Sequence, residues 1–100
     1  MAIRNNEDAQ RVLRHVSDEQ RFYCHDGSTY SNIHDLKTGL DNIHEQAYRH
    51  HVAEKKNDFA RWVREVLGDD KLAKDLSKAP DKKEAARIVA ERITWLQARA

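Results

Sequence analysis

The stretch from Asn57 to Leu67, NDFARWVREVL, constrains the fold of this chain more than any other. Its apolar residues recur at the spacing i, i+3, i+4, i+7 and i+8, which places them on one face of an α-helix; they are Phe59, Trp62, Val63, Val66 and Leu67. Asn57 or Asp58 can cap the beginning of this helix, and Gly68 can adopt the left-handed conformation that ends many helices. Two large aromatic rings on one short apolar stripe predict that this helix anchors the core.

Length and charge limit the class of protein. The chain has 100 residues, of which 39% are apolar and 35% charged, with a net charge of +1. This length predicts a single domain over residues 1–100, and the near-balance of charges disfavours a dedicated nucleic-acid-binding protein. Apolar runs are too short to span a membrane. Because there is one cysteine, Cys24, and the first ten residues lack an apolar signal region, we expect a cytoplasmic location.

Periodicity and turn residues predict the remaining elements. Aromatic and β-branched residues surround Asp26-Gly27, which predicts a β-hairpin over 21–31. Asn42 with Glu45 three residues later forms a capping-box pattern that opens a helix over 42–55. The other helices are predicted over 6–16, 32–39, 57–67, 70–77 and 81–99. The predicted fold class is mainly α, a compact bundle of about five helices with one small β-hairpin, closed on a shared core of Phe59, Trp62, Val66, Ile88 and Ile93.

A spaced pattern runs through the second half of the chain: HV at 51–52, NDFA at 57–60, WV at 62–63, V at 66, GD at 68–69 and LA at 72–73. It resembles an uncharacterised small domain of prokaryotes, archaeal ones included. That domain tends to have an upstream hairpin with Asp-Gly, matched here by Asp26-Gly27, and a leucine-rich segment, matched by Leu36 and Leu40. The resemblance covers roughly Phe22 to Leu96. It implies a domain of unknown function, and it brings no activity, cofactor or catalytic residues with it.

Motifs of enzymes are not found in the sequence. There is no phosphate-binding loop, dinucleotide fingerprint, nucleophile elbow or HExxH motif, so we expect neither catalysis nor a cofactor. Cys24 and His25 cannot form a nucleophile–base pair, because adjacent residues of a strand point to opposite faces.

Histidines offer one alternative, a metal site. His44 and His51 are seven residues apart on the predicted helix 42–55, so they share a face at a separation of about 10 Å. One metal ion would need further ligands from elsewhere, such as Cys24 or His25 in the hairpin, or Asp41 or Asp58. Close ligand pairs, which are typical of structural zinc sites, are absent. In the competing interpretation, His51 lies at the edge of the core and bonds to a helix cap such as Asn57 or Asp58.

Protein association is the function that the sequence favours. Tyrosine and tryptophan are common interface anchors, and four of them lie at the edges of the apolar stripes: Tyr23, Tyr30, Tyr48 and Trp95. The hairpin also has an edge that another strand could extend. We therefore expect an interaction or accessory module that binds another protein or forms a homo-oligomer.

Nucleic-acid association is the runner-up function. It would use a local basic face made of Lys55, Lys56, Arg61 and Arg64, whose cations would contact phosphates despite the neutral total. Acidic residues such as Glu54 and Glu65 interrupt this face, which favours a solvated surface with ion pairs instead.

Overall fold

Short helices alternate with two small hairpins along the chain. The computed structural model describes residues 3–100, and its elements are α1 (Asn6–Leu13), β1 (Phe22–Tyr23), β2 (Thr29–Tyr30), α2 (Ile33–Asn42), α3 (Glu45–His51), β3 (Val52–Ala53), β4 (Lys56–Asn57), α4 (Asp58–Trp62), α5 (Asp70–Ser77) and α6 (Lys82–Gln97). A 3-10 turn covers Asp18–Gln20, and α4 continues directly into π-helical turns over Val63–Leu67. The predicted fold class, mainly α with a small hairpin, is confirmed.

Polar caps fix where most of the helices begin. Five N-cap side chains each accept a hydrogen bond from an amide of the first turn; they are Asn5, Asn32, Asn57, Asp69 and Asp81. Each satisfies a backbone donor that would otherwise have no partner. The capping box predicted at Asn42 is not used, because Asn42 is the last residue of α2. Helix α3 begins instead after His44, which provides no side-chain cap.

The first hairpin forms around Asp26-Gly27, as the sequence predicts. Strands β1 and β2 are antiparallel, with Phe22 opposite Tyr30. The Cys24 amide donates to the Ser28 carbonyl at 2.9 Å and closes a three-residue loop. Gly27 ends this loop with φ of 92°, a left-handed conformation that suits glycine.

A second hairpin replaces the end of the helix predicted over 42–55. Helix α3 stops at His51, and β3 pairs with β4 so that Val52 lies opposite Asn57. Glu54 and Lys55 form the turn between them. No residue other than glycine has a positive φ between residues 3 and 100. This turn therefore differs from most two-residue hairpins, in which glycine or asparagine adopts a positive φ.

Stacked aromatic rings join the first hairpin to the helices. The Phe22 ring lies 4.9 Å from that of Phe59 and 5.4 Å from that of Tyr30, between ring centroids. Phe59 also stacks on Tyr48 at 5.8 Å. Of the five residues predicted to share the core, Phe59, Trp62 and Ile93 are buried, whereas Val66 and Ile88 are partly buried and pack against it.

Helix α6 is the main support of the bundle. It packs most extensively against α2 and also contacts α1 and α5. The Cα radius of gyration is 12.5 Å, the value expected of a compact chain of this length. Within residues 3–100, the helices are all too short or too polar to cross a membrane.

Candidate functional site

Tyr23 on strand β1 is the most conspicuous surface residue. The residue is 62% exposed, and it is the only exposed large hydrophobic residue in the described part of the chain. The Tyr23 hydroxyl donates a hydrogen bond of 2.7 Å to the carbonyl of Asp18. The ring is therefore held in place although it faces solvent.

The outer edge of β1 lies beside this ring. The amide of Cys24 points toward β2, where it donates to the Ser28 carbonyl, whereas the amide of His25 points the opposite way and donates to His51 Nε2 at 2.9 Å. Backbone groups alternate in direction along an antiparallel strand. The N–H and C=O of Tyr23 are therefore directed away from β2, on the same side as the amide of His25.

A groove of about 310 Å³ runs along this edge, between β1 and the α4 helix. We call it the edge groove, and it is lined by Arg21, Phe22, Tyr23, His51, Asp58, Arg61, Trp62, Glu65 and Val66. The indole Nε1 of Trp62 donates to the Gln20 carbonyl at 2.8 Å, which fixes one wall of the groove against the chain that leads into β1. An exposed apolar side chain next to a strand edge is the arrangement that binds extended peptides.

His51 forms the floor at one end of the edge groove. Its Nδ1 lies 3.0 Å from Asp58 Oδ2, and its Nε2 accepts the amide hydrogen of His25. A nitrogen that accepts must carry a lone pair, so Nδ1 bears the ring proton and donates it to Asp58. Both ring nitrogens are therefore occupied by structural bonds. His51 is therefore the histidine predicted to lie at the edge of the core, and Asp58 is its partner.

Asp58 holds a negative charge at this point. Partial burial acts to raise the pKa of its carboxyl, but the hydrogen bonds from His51 and Lys56 outweigh that effect, so that the pKa is lowered. The Lys56 ammonium lies 3.3 Å from the Asp58 carboxylate. Asp58 is thus an ionised carboxylate held between His51 and Lys56.

The other three aromatic candidates are not exposed in this way. Tyr30 is 2% and Tyr48 is 4% exposed, and burial raises the pKa of both hydroxyls. Both rings stack inside the aromatic core, so neither residue can present a surface to a partner. Trp95 is half-buried, with the guanidinium groups of Arg92 and Arg99 lying 4.1 and 3.7 Å from its ring centroid.

The four predicted basic-face residues, in contrast, lie around one pocket. We call it the basic pocket; it has a volume of about 270 Å³ and is lined by Lys55, Lys56, Asn57, Asp58, Ala60, Arg61, Arg64 and Ser77. The turn of the second hairpin supplies Lys55, and the surface of the α4 helix and its π-helical continuation supplies Arg61 and Arg64. This pocket shares Asp58 and Arg61 with the edge groove.

The predicted metal ligands do not converge. Bonds to His25 and Asp58 occupy both nitrogens of His51, and His44 lies at the other end of α3. The rings of His25 and His50 stack instead, with centroids 3.9 Å apart. No group of three or more histidine, cysteine, aspartate or glutamate side chains within residues 3–100 is arranged to hold a metal ion.

Sequence reasoning does not anticipate the walls of the edge groove. Periodicity places Trp62 and Val66 in the core alone, and no pattern singles out Arg21. Trp62 is buried and yet lines the groove, a double role that hydrophobic periodicity cannot reveal. The signal that is present in the sequence is the hairpin edge next to Tyr23.

Comparison with known proteins places the chain in a family. No curated protein and no solved structure shows significant similarity to it. A sequence model of DUF5752, described as a family of unknown function, matches residues 15–97. This match confirms the expected resemblance to an uncharacterised domain, and it begins earlier in the chain than the expected Phe22. Because the match covers most of its length, the chain belongs to DUF5752, a family of unknown function.

Proposed function

We propose that this domain is a non-catalytic protein-interaction module, and that the edge groove binds an extended segment of another protein. The observation that carries the proposal is the exposed ring of Tyr23, fixed in place beside the unpaired edge of β1. Rigid tyrosine side chains are among the residues that contribute most to protein interfaces.

The shape of the edge groove favours an extended segment over a globular surface. Because the N–H and C=O of Tyr23 are directed away from β2, they can pair with the backbone of an added strand. Val66 and Trp62 form an apolar wall for one side chain of that strand. Arg21 and Arg61 stand at the rim, and each already pairs with a carboxylate, Asp18 at 3.0 Å and Glu65 at 3.5 Å.

Another protein is a better occupant than a second copy of this chain. Strand β1 has only two residues, so the pairing of two such edges would form few hydrogen bonds and bury little surface. A longer segment of a partner can pass β1 and continue along the α4 helix. Since the single cysteine, Cys24, is free and buried, the proposal keeps the cytoplasm as the compartment.

The absence of catalysis is supported by the chemistry of the groove. His51 and Asp58 are the imidazole and carboxylate that line it beside β1, and the imidazole has no nitrogen left to accept a proton from a substrate. The Asp58 carboxylate is itself engaged by His51 and Lys56, so both groups of the pair are bound within the fold.

Peptide selection tests the proposal while the partner is still unidentified. A random peptide library displayed on phage would be panned on the immobilised full-length chain, and selected peptides would be titrated by fluorescence anisotropy. We expect Tyr23→Ala to weaken binding at least tenfold, or about 1.4 kcal/mol. Thr38→Ala is the control, because Thr38 is an exposed residue of α2 that does not line the edge groove.

Backbone pairing and self-association have separate readouts. N-methylation of the backbone amides of a selected peptide that face β1 should abolish its binding. N-methylation of the alternate amides of the same peptide should leave the binding intact. Peptides that bind wild type and Tyr23→Ala equally would refute the proposal. Sedimentation velocity tests self-association. If the wild-type chain is a dimer and Tyr23→Ala is a monomer, the edge groove binds a second copy of this chain and not another protein.

A further inference from the structure

We propose that the basic pocket is a binding site for the phosphate group of a small phosphorylated molecule. The site adjoins the edge groove, with which it shares Asp58 and Arg61, but Lys55 and Arg64 line the basic pocket alone of the two. The proposal rests on the charges and the shape of the pocket.

Charge in the basic pocket is far from the average of the chain. Four cationic side chains line it against one carboxylate, that of Asp58, whereas the whole chain has a net charge of only +1. Concave sites with charges of one sign raise the local concentration of oppositely charged ligands. The pocket is therefore suited to an anion.

Two of these cations are not used by the fold. Within residues 3–100, neither Lys55 nor Arg64 makes a hydrogen bond or an ion pair through its side chain. Lys56 pairs with Asp58 at 3.3 Å, and Arg61 pairs with Glu65 at 3.5 Å. Lys55 and Arg64 therefore provide unneutralised positive charge at the pocket.

Another concave cluster of cations is different in this respect. It lies where α2 meets α6, and its lining includes Lys37, Lys82, Lys83 and Arg87. Lys37 pairs with Asp41, Lys82 donates to the Ile43 carbonyl at 2.7 Å, and Arg87 pairs with Glu84 and Glu91. Only Lys83 of that cluster has no partner within residues 3–100. Structural bonds thus account for three of the four cations there, but for only two of the four in the basic pocket.

Phosphate is the anion that matches the donors. The guanidinium of Arg64 presents two parallel N–H donors that fit two phosphate oxygens, and the ammonium of Lys55 adds a mobile point charge. The uncharged polar groups are already engaged: the Asn57 amide donates to the Leu76 carbonyl at 3.1 Å, and the Ser77 hydroxyl donates to the Ala73 carbonyl at 3.0 Å. Recognition would therefore depend on charge.

Size and surroundings favour a small ligand over a nucleic acid. A volume of about 270 Å³ accommodates one phosphate group with a small organic body. A bound strand needs a continuous basic path along several phosphates, whereas here Glu54 precedes Lys55 in the turn and Glu65 pairs with Arg61. The basic pocket is an isolated spot of positive charge.

Calorimetric titration with inorganic pyrophosphate tests the proposal on the full chain at low salt. We expect saturable binding, weakened at least fivefold by Lys55→Gln and likewise by Arg64→Gln. Lys83→Gln is the matched control, because Lys83 is also unpaired within residues 3–100 but lies in the other cluster; its affinity should stay within twofold of wild type. Tyr23→Ala should leave pyrophosphate binding unchanged, so failure of the edge groove and failure of this site are distinguishable.

Amide chemical shifts keep the test independent of the variants' folding. Pyrophosphate added to the ¹⁵N-labelled wild-type chain should shift the amides of Lys55, Lys56 and Arg64 and leave that of Tyr23 in place. Absence of saturable binding, equal affinities of Lys55→Gln and Lys83→Gln, or shifts elsewhere would overturn the proposal. A second contradicting outcome is that a single-stranded oligonucleotide binds tightly and pyrophosphate does not displace it. The ligand would then be a nucleic acid and not a small phosphorylated molecule.

Discussion

Gly39 in the middle of α2 shows how closely the residues of this core approach one another. A Cβ atom built on Gly39 would clash with ring atoms of Tyr30, including Cζ and the hydroxyl oxygen. The Tyr30 ring cannot simply turn aside, because it is 2% exposed and stacks on Phe22. Glycine is therefore required here for close approach and not for a special backbone angle.

Replacing this residue gives a test at the scale of single atoms. Alanine in place of glycine normally stabilises the interior of a helix by about 1 kcal/mol. We expect the opposite for Gly39→Ala, a loss of about 1–3 kcal/mol of unfolding free energy from overpacking, measured by urea denaturation. Thr38→Ala, an exposed change on the same helix, serves as control and should stay within about 0.5 kcal/mol of wild type.

A double substitution separates the clash from other effects of Gly39→Ala. Tyr30→Leu shortens the side chain that the new methyl group would meet. In that background, Gly39→Ala should cost much less than in wild type, because neighbouring substitutions are not additive when one removes the cause of the other's effect. Equal costs in both backgrounds would contradict the close approach of Gly39 and Tyr30.

At the scale of elements, a helix boundary that depends on neighbouring residues can be predicted from the sequence, whereas one that depends on tertiary contacts cannot. Caps such as Asn32 and Asp81 are read from a few adjacent residues, so those helices begin within one or two residues of their predicted first positions. The end of α3 cannot be predicted in this way, because glutamate and lysine at 54–56 favour helix. The helix stops at His51, whose ring is fixed by His25 and Asp58 from other parts of the chain.

The same distinction applies to the candidate site. The sequence predicts Tyr23 as an interaction residue together with Tyr30 and Tyr48, but strands of two residues are too short for alternation to show which side faces outward. The register that places Phe22 opposite Tyr30 turns both of these rings inward and leaves Tyr23 outside. The basic pocket depends on the second hairpin, so its four cations are predictable but its shape is not.

Helices α5 and α6 are joined by an ion pair that the sequence does not reveal. Asp69 is fully buried, and the Arg92 guanidinium donates to both of its carboxylate oxygens at 2.7 and 2.9 Å. Asp69 also caps α5 by accepting from the Leu72 amide at 3.1 Å. One carboxylate thus begins one helix and holds a second.

Removal of one partner should be costly for this reason. We expect Arg92→Met to lower the unfolding free energy by about 3–5 kcal/mol, since it leaves a buried carboxylate without its counter-charge. The pair Asp69→Asn/Arg92→Met should be more stable than Arg92→Met alone, because the asparagine is neutral and its side-chain oxygen can still cap α5. Urea denaturation of the three proteins measures both effects. If the double variant is no more stable than Arg92→Met, the loss does not come from an unpaired charge.

For the molecule as a whole, charge is balanced in total but organised in space. Within residues 3–100, three of the four carboxylates with a lowered pKa lie in or next to the two hairpins, and the fourth, Glu84, pairs with Arg87 on α6. Hydrogen bonds from the Ser28 hydroxyl and amide lower the pKa of Asp26. For Asp35, burial raises the pKa, but the amide and hydroxyl of Ser31 outweigh it and lower the pKa overall. Together with Asp58, these groups stabilise the two hairpins and the residues next to them while they remain ionised.

Acid should therefore destabilise the fold by protonating these three carboxylates. A carboxyl whose pKa is lower in the folded state than in the unfolded chain contributes stability above its unfolded pKa, about 3.9 for aspartate, and loses that contribution as the pH falls through the folded value. We expect the unfolding free energy to decline below about pH 4. Asp58→Asn should be less stable than wild type near neutral pH, because the bond from His51 and the pair with Lys56 are weakened.

The difference between Asp58→Asn and wild type should itself depend on pH. Once the wild-type carboxyl is protonated, it is as uncharged as the asparagine, so the two unfolding free energies should converge on acidification. Urea denaturation at a series of pH values from about 7 to about 2.5 measures this convergence. A constant offset across the series would mean that Asp58 stabilises the fold by shape and hydrogen bonding alone. Convergence would locate part of the acid sensitivity of the whole domain at the junction that the edge groove and the basic pocket share.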